Sequence, residues 1–197
     1  MAKTNQSDGT VKVSAESLAS SARAAKAGGG LPPVESWNPP FCGDLDMRIA
    51  RDGTWFYLGT PIGRPELVRL FSTIIRREED AYFLVTPVEK VGITVDDAPF
   101  VAVDFEAEDG NLRFTTNVGD SVVASISHPI RVERDPRTGE PSPYILIRRN
   151  LEALIDRKSF YRLVDIGGIA PFDGTDWFGV TSSGQFFPVV PASELEE

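Results

Sequence analysis

From position 47 onward the apolar residues fall into short runs broken by turn formers. Residues 47–51 and 54–58 flank Asp52-Gly53, a pair suited to a type I′ turn, and predict a β-hairpin. Pro65 then opens a stretch in which Leu67, Val68, Leu70, Phe71, Ile74 and Ile75 recur at helical spacing. The opposite side carries Glu66, Arg69, Ser72, Thr73, Arg76 and Arg77, so an amphipathic helix is expected. Residues 80–86 and 90–95 read as two further strands separated by Pro87. A similar order follows downstream. Residues 130–134 run into the turn 135–139, then a strand at 144–147, then a helix opened by Asn150 with Leu151, Leu154 and Ile155 on one face. Ser159 restarts that helix with Phe160, Leu163 and Val164, and a hairpin of 176–181 with 185–190 turns at Ser183-Gly184.

The string Met47-Arg48-Ile49-Ala50-Arg51-Asp52 matches Ile130-Arg131-Val132-Glu133-Arg134-Asp135 in pattern, which predicts two copies of a strand-strand-helix-strand-strand unit. Between them Val101, Val103, Phe105 and Ala107 alternate with polar or small residues up to the Asp109-Gly110 turn and a return strand at 112–116. One face of that hairpin is expected to be buried and the other solvated. Two helices among about ten short strands define an α+β fold with rolled, mostly antiparallel sheets. Residues 1–30 are rich in Ala, Ser, Lys and Gly and read as a tail and linker holding a helix over 14–27, ordered by docking on the body or on a second subunit. The expected organisation is this segment, a first unit over 31–97, the central hairpin with the second unit over 98–190, and a C-terminal tail over 191–197.

Composition narrows the function classes. The 197 residues carry a net charge of −9, which removes the usual electrostatic source of non-specific nucleic-acid or anionic-membrane binding. With 41% hydrophobic residues the chain can bury a core, and no apolar stretch suits a signal peptide or a membrane span. Its single cysteine excludes an intramolecular disulfide and fits a cytoplasmic setting.

No glycine-rich dinucleotide fingerprint, phosphate loop, paired-histidine motif or nucleophile elbow occurs, and one Cys with one His cannot make a Cys/His zinc site. No metal or cofactor is therefore expected. The acidic run from Asp104 to Gly110 fails as a calcium loop because Gly falls at its seventh position and Thr115 at its twelfth. Cys42 and His128, with Asp44 or Asp46 orienting the ring, define the one conceivable catalytic constellation, and Asp44 and Asp46 would point to one side of an extended segment. A buried thiol, a surface histidine and solvated carboxylates account for the same residues. Arg76, Arg77, Arg131, Arg134, Arg137, Arg148 and Arg149 could read a carboxylate or phosphate, or could be paired with the surplus acids. The aromatic pairs are either core or an exposed row that marks a binding surface.

The strings Trp37-Asn38-Pro39-Pro40-Phe41-Cys42-Gly43-Asp44, Arg51-Asp52-Gly53-Thr54-Trp55-Phe56-Tyr57 and Phe83-Leu84-Val85-Thr86-Pro87-Val88-Glu89-Lys90 resemble bacterial domain-of-unknown-function family 1285. So do Asp97-Ala98-Pro99-Phe100, Thr116-Asn117-Val118-Gly119-Asp120 and Leu151-Glu152-Ala153-Leu154-Ile155-Asp156-Arg157, so that the resemblance covers about residues 31–190. It implies a proteobacterial origin, a duplicated α+β fold, a suggested link to signalling and no assigned activity. No catalytic residue carries over.

The residues together favour a cytosolic, non-enzymatic module that binds a small molecule or a protein. Its expected contact residues are Trp55, Tyr57 and Trp177 with Arg131 or Arg148 meeting an anionic group. The alternatives are a small hydrolase using Cys42, Asp44, Asp46 and His128, and a structural partner whose tail helix and exposed strand edges mediate oligomerisation; a homodimer is among the expected states. Neither nucleic acid nor membrane is an expected partner.

Overall fold

The computed structural model describes residues 13–26 and 30–195. Helix α1 (Ala15–Ala25) is capped by Ser14, whose hydroxyl accepts from the Ser17 amide while the Ser17 hydroxyl accepts from the Ser14 amide. Its buried side, Leu18, Ala19 and Ala22, packs on the helix that follows, so this segment docks on the body.

Strands β1 (Phe41–Ile49), β2 (Trp55–Tyr57) and β3 (Thr60–Pro61) step outward as an antiparallel meander. Helix α2 (Pro65–Thr73) crosses over, and β4 (Ile75–Glu78), β5 (Ala81–Val85) and β6 (Lys90–Val95) return antiparallel until β6 pairs parallel with β1. The sheet order is β3-β2-β1-β6-β5-β4. The second half repeats this with β7 (Phe100–Glu108), β8 (Asn111–Thr116), β9 (Ser121–Val123), β10 (Ile130–Arg134), β11 (Pro141–Arg148) and β12 (Leu151–Ile155). Its order is β10-β11-β12-β7-β8-β9, with β12 parallel to β7. Helix α3 (Arg157–Ile166) then leads to a three-stranded antiparallel sheet of β13 (Gly168–Phe172), β14 (Thr175–Ser182) and β15 (Gln185–Pro191).

The duplicated α+β architecture with curled sheets is therefore present, but its phase differs from the sequence match. Strand β1 corresponds to β7 by position in its sheet, not to β10, so the shared Met47 and Ile130 strings reflect hairpin chemistry on a central strand and an edge strand. The second half also has no helix between its two meanders. Residues Leu151–Ile155 form β12, because Leu151, Ala153 and Ile155 alternate inward against a paired neighbour on each side. Helix α3 starts later, capped by Asp156, whose carboxylate accepts from the Ser159 amide at 2.7 Å.

Three local corrections have physical causes. Helix α2 stops at Thr73 and Ile75 joins β4, so Ser72, Thr73 and Arg76 are buried instead of solvated. The two hydroxyls donate to the Arg69 and Leu70 carbonyls, and Arg76 donates to the Val34 and Trp37 carbonyls. A register shift between Ala102 and Asp104 in β7 turns Val103 outward while Ala102 and Phe105 stay inside. At the first hairpin only Gly53 has positive φ, at 85°, so the turn is not type I′. Asp109-Gly110 and Ser183-Gly184, with both residues at positive φ, have the backbone of type I′ turns.

One hydrophobic cluster runs from Leu18 and Ala22 through Trp55, Phe71, Phe100, Phe114 and Ile145 to Phe187, so the two halves share a core. Arg148 bridges them. Its guanidinium donates to the Ser72 carbonyl at 2.7 Å in the last turn of α2, pairs with Asp120 at 2.5 Å and lies 4.7 Å from the Phe100 ring centroid. Only 10% of its side chain is exposed, and this burial holds its pKa below the usual arginine value despite Asp120. Gly53 also sits on the junction: a Cβ there would lie 2.6 Å from Asn117 Nδ2, on a backbone that disfavours L side chains.

Replacing Arg148 with Ala strands Asp120 and an α2 carbonyl, and should lower unfolding free energy by about 3 kcal/mol in urea titration. A loss under about 1 kcal/mol would mean that water replaces the guanidinium and that the bridge carries no stability.

Candidate functional site

The structure distributes the sequence-selected residues over several places. Trp55 is 2% exposed and stacks on Phe71 in the core, so it presents no face to a ligand. Tyr57 is half-buried and its hydroxyl accepts from the Ala15 amide at 3.5 Å, in a hollow beside the start of α1. Arg148 is the internal bridge already described. Arg131 donates from Nε and Nη2 to both Glu152 carboxylate oxygens at 2.6 Å, donates to Glu133, and lies 4.5 Å from the Tyr144 ring centroid. Glu152 and Glu133 together hold its pKa well above the usual value. These pairings engage Arg131 and Arg148 within the fold.

Trp177 is the predicted aromatic that lies on an outer face. It meets Phe172 edge-on at 6.1 Å, and Phe172 meets Phe186 at 6.3 Å. With Arg131 and Ile126, which is 83% exposed, these rings line a shallow hollow of about 520 Å³. Pro171 occupies the outer edge of this sheet. The two-residue Asp173-Gly174 turn makes Phe172 and Thr175 a hydrogen-bonded pair, so position 171 points away from β14, where proline offers no N–H to an added strand.

The proposed catalytic constellation does not assemble. Cys42 is exposed on β1 and its thiol donates to the Pro40 carbonyl at 3.4 Å. His128 lies in the loop before β10 in the other sheet, where Nδ1 donates to the Leu146 carbonyl at 2.9 Å. No hydrogen bond joins the two among the described residues. Asp44 and Asp46 do share the solvated side of β1. Asp44 folds over Gly92, where a Cβ would come within 2.1 Å of Oδ1, so glycine makes room for the carboxylate. Among the described residues no three His, Cys, Asp or Glu side chains converge on a cation-sized space.

A better-formed site was not singled out from sequence. Where the β1–β2 turn reaches β11 and the start of α3, a groove of about 400 Å³ opens between apolar walls. Leu154, Phe160, Tyr161, Pro141 and Pro143 supply its apolar lining, with Arg51 and Arg157 beside them. Arg51 is held by Asp97 at 2.7 Å and by the Ser142 hydroxyl at 2.8 Å, yet its side chain stays 56% exposed. Arg157 donates from Nε and Nη2 to the Tyr161 hydroxyl at 3.0 and 2.9 Å. Tyr144 on β11, which does not line the groove itself, donates to Asp97 at 2.7 Å and completes the network that holds Arg51. Burial first and the Asp97 carboxylate second push the Tyr144 phenol up to about 12.

One sequence signal for this place exists. Helix α3 begins Arg157-Lys158 and carries Asp165 in its last turn, the reverse of the order that its dipole favours.

Fold and site together define a duplicated α+β scaffold with an apolar, arginine-bearing groove, in which Cys42 and His128 do not meet. Residues 32–98 match the N-terminal domain of DUF1285, a domain of unknown function, and residues 99–189 match its C-terminal domain. The chain belongs to the DUF1285 family.

A DUF1285 family protein from Silicibacter pomeroyi DSS-3 is similar in crystal structure, with 64% identity, a TM-score of 0.81, and coverage of 91% of this chain and 98% of its own. A second, from Shewanella baltica OS155, has 31% identity and a TM-score of 0.50 over 61% of this chain and 91% of its own. No curated protein matches the sequence. No helix among the described residues is long and apolar enough to cross a membrane.

The Tyr144 arrangement has a pH consequence. Its folded pKa lies above the unfolded value of about 10, so the stability held by the neutral phenol is full below that pH and lost as pH rises through about 12. Tyr144→Phe should abolish this alkaline loss in urea titrations at stepped pH. An unchanged alkaline profile would show that Tyr144 is not the group responsible.

Proposed function

We propose that this protein is a non-enzymatic binding module that takes a small molecule into the groove at the start of α3 and acts in a regulatory or signalling capacity in the cytoplasm. The observation that carries this reading is the groove's construction: apolar walls of Leu154, Phe160 and Tyr161 beside Arg51, which comes from the other half of the molecule. Apolar walls with a few fixed polar groups are the usual make-up of small-molecule sites. Arg51 also binds Asp97 and Ser142, so a ligand touching it acts on the contacts between halves, which gives occupancy a structural readout. The exposed Cys42 thiol fits a reducing compartment. The separation of Cys42 from His128 weighs against the hydrolase reading.

Native mass spectrometry of protein purified gently from cells tests this. The expected result is a stoichiometric non-covalent mass that Leu154→Ala and Phe160→Leu each diminish. A wild-type protein at its bare polypeptide mass, with thermal stability that no cell-extract small-molecule fraction raises, overturns it.

A second reading rests on Ile126 and the Phe172–Trp177–Phe186 face. Exposed contiguous apolar surface of this kind marks interaction sites, and Pro171 disfavours strand addition, so self-association would be face to face. Sedimentation velocity should then show a dimer that Ile126→Asp dissociates; a monomer at high protein concentration removes this reading.

A further inference from the structure

We infer that the groove at the start of α3 recognises an organic anion, a molecule with an apolar body and one carboxylate, sulfonate or phosphate group, whose charge is taken up by Arg157 and Arg51. This rests on the groove being the binding site and adds the ligand's chemical class.

Most arginines of this acidic chain are ion-paired within the fold. Arg48, Arg51, Arg76, Arg77, Arg131, Arg134, Arg137, Arg148, Arg149 and Arg162 each have a carboxylate within ion-pair distance. Arg157, in the groove, has none among the described residues, nor do Arg23, Arg64, Arg69 and Arg113, but of these five Arg157 alone has its guanidinium fixed by a side-chain hydrogen bond. A phenol holds it instead, through Nε and Nη2, which fixes the guanidinium with no carboxylate at ion-pair distance, Glu140 acting on it only through space, and leaves Nη1 without a protein acceptor among those residues. A guanidinium oriented by a neutral group is set for a charge-assisted hydrogen bond to an incoming anion. Arg51 supplies a second, half-exposed guanidinium held by Asp97 and Ser142.

Two acids, Asp156 and Glu140, line the groove beside these arginines. Asp156 caps α3 through the Ser159 amide. Glu140 lines the groove without a side-chain hydrogen bond among the described residues, and its charge opposes an anion there. The Arg157-Lys158 start adds to the positive end of the α3 dipole, an arrangement unfavourable to the isolated helix and favourable to a bound anion. Leu154, Phe160 and Tyr161 provide contact for an apolar body, which a bare inorganic ion would leave unused.

Two dyes that differ by one charge separate the claims: 1-anilinonaphthalene-8-sulfonate and its neutral counterpart N-phenyl-1-naphthylamine, titrated by fluorescence against the full chain. Wild type should bind the sulfonate roughly 10-fold more tightly than the neutral dye, as expected for a charge-assisted contact. Arg157→Ala should bring the two affinities together, Arg157→Lys should restore part of the difference, and Glu140→Gln should tighten only the sulfonate.

Equal affinities in wild type, or a preference unchanged in Arg157→Ala, overturn the inference. If Leu154→Ala and Phe160→Leu still weaken both dyes, the groove remains the site and only the anion assignment falls. If neither variant affects either dye while Trp177→Ala does, the groove reading fails as well. Thermal melts of each variant establish that it is folded before its titration is read.

Discussion

A buried cation at the junction of two curled sheets is the constraint around which this molecule is arranged. Taking the Arg148 guanidinium out of water is costly, and one residue cannot compensate for it alone. The compensation comes from both halves: a carbonyl in the last turn of α2, the Asp120 carboxylate between β8 and β9, and the Phe100 ring at the start of β7. The carbonyl end of a helix and the face of an aromatic ring are both electron-rich, so each favours the charge it receives. Docking the halves in another register would take away the α2 carbonyl and leave this cation with only the partners of its own half, Asp120 and Phe100. Arg148 thereby gives a geometric specification that apolar packing alone does not supply.

The remaining arginines are used in graded fashion around that centre. Arg76 is buried and ties the segment before β1 to β4 through the Val34 and Trp37 carbonyls. Arg131 is partly exposed but gripped by two glutamates. Arg162 holds α3 to β7 through Asp104 and the Phe105 carbonyl. Among the described residues it is at the start of α3 alone that a guanidinium is oriented by a neutral hydroxyl with no carboxylate at ion-pair distance. The same residue type is thus structural where carboxylates meet it and available for recognition where they do not, a difference set by neighbours brought together in three dimensions.

This explains what could be read from the chain. Helix α2 as far as Thr73, the Asp109-Gly110 and Ser183-Gly184 turns and the α+β character were legible because each depends on local spacing or on the positive φ that glycine accepts. Residues Leu151–Ile155 misled because Leu151, Leu154 and Ile155 suit a helix face, whereas pairing with β11 and β7 decides for strand. The phase of the duplication was hidden because a hairpin motif recurs at non-equivalent strands. For the site, Trp177 lay where exposed aromatics were expected, while Trp55 was drawn into the core by Phe71. Whether Arg131 and Arg148 bind a ligand or pair internally was open in the sequence because Glu152 and Asp120 are distant from them along the chain. The groove was illegible for the same reason: Arg51 and Arg157 come from elements that meet only after the halves have docked.

The parallel pairing at the centre of each sheet also fixes an order of assembly during synthesis. Strand β1 is made early, yet its partner on one side is β6, so Phe41 must wait for Lys90 to leave the ribosome before that edge closes. The second half repeats the delay, with Phe100 waiting for Ala153. Each sheet therefore completes in a single late step that joins the first and last strands of its own half, and a nascent chain carries one open central edge at a time. Non-local closure of this kind is slow relative to hairpin formation. Duplication confines that exposure to two short intervals, where one long sheet would extend it over the entire chain.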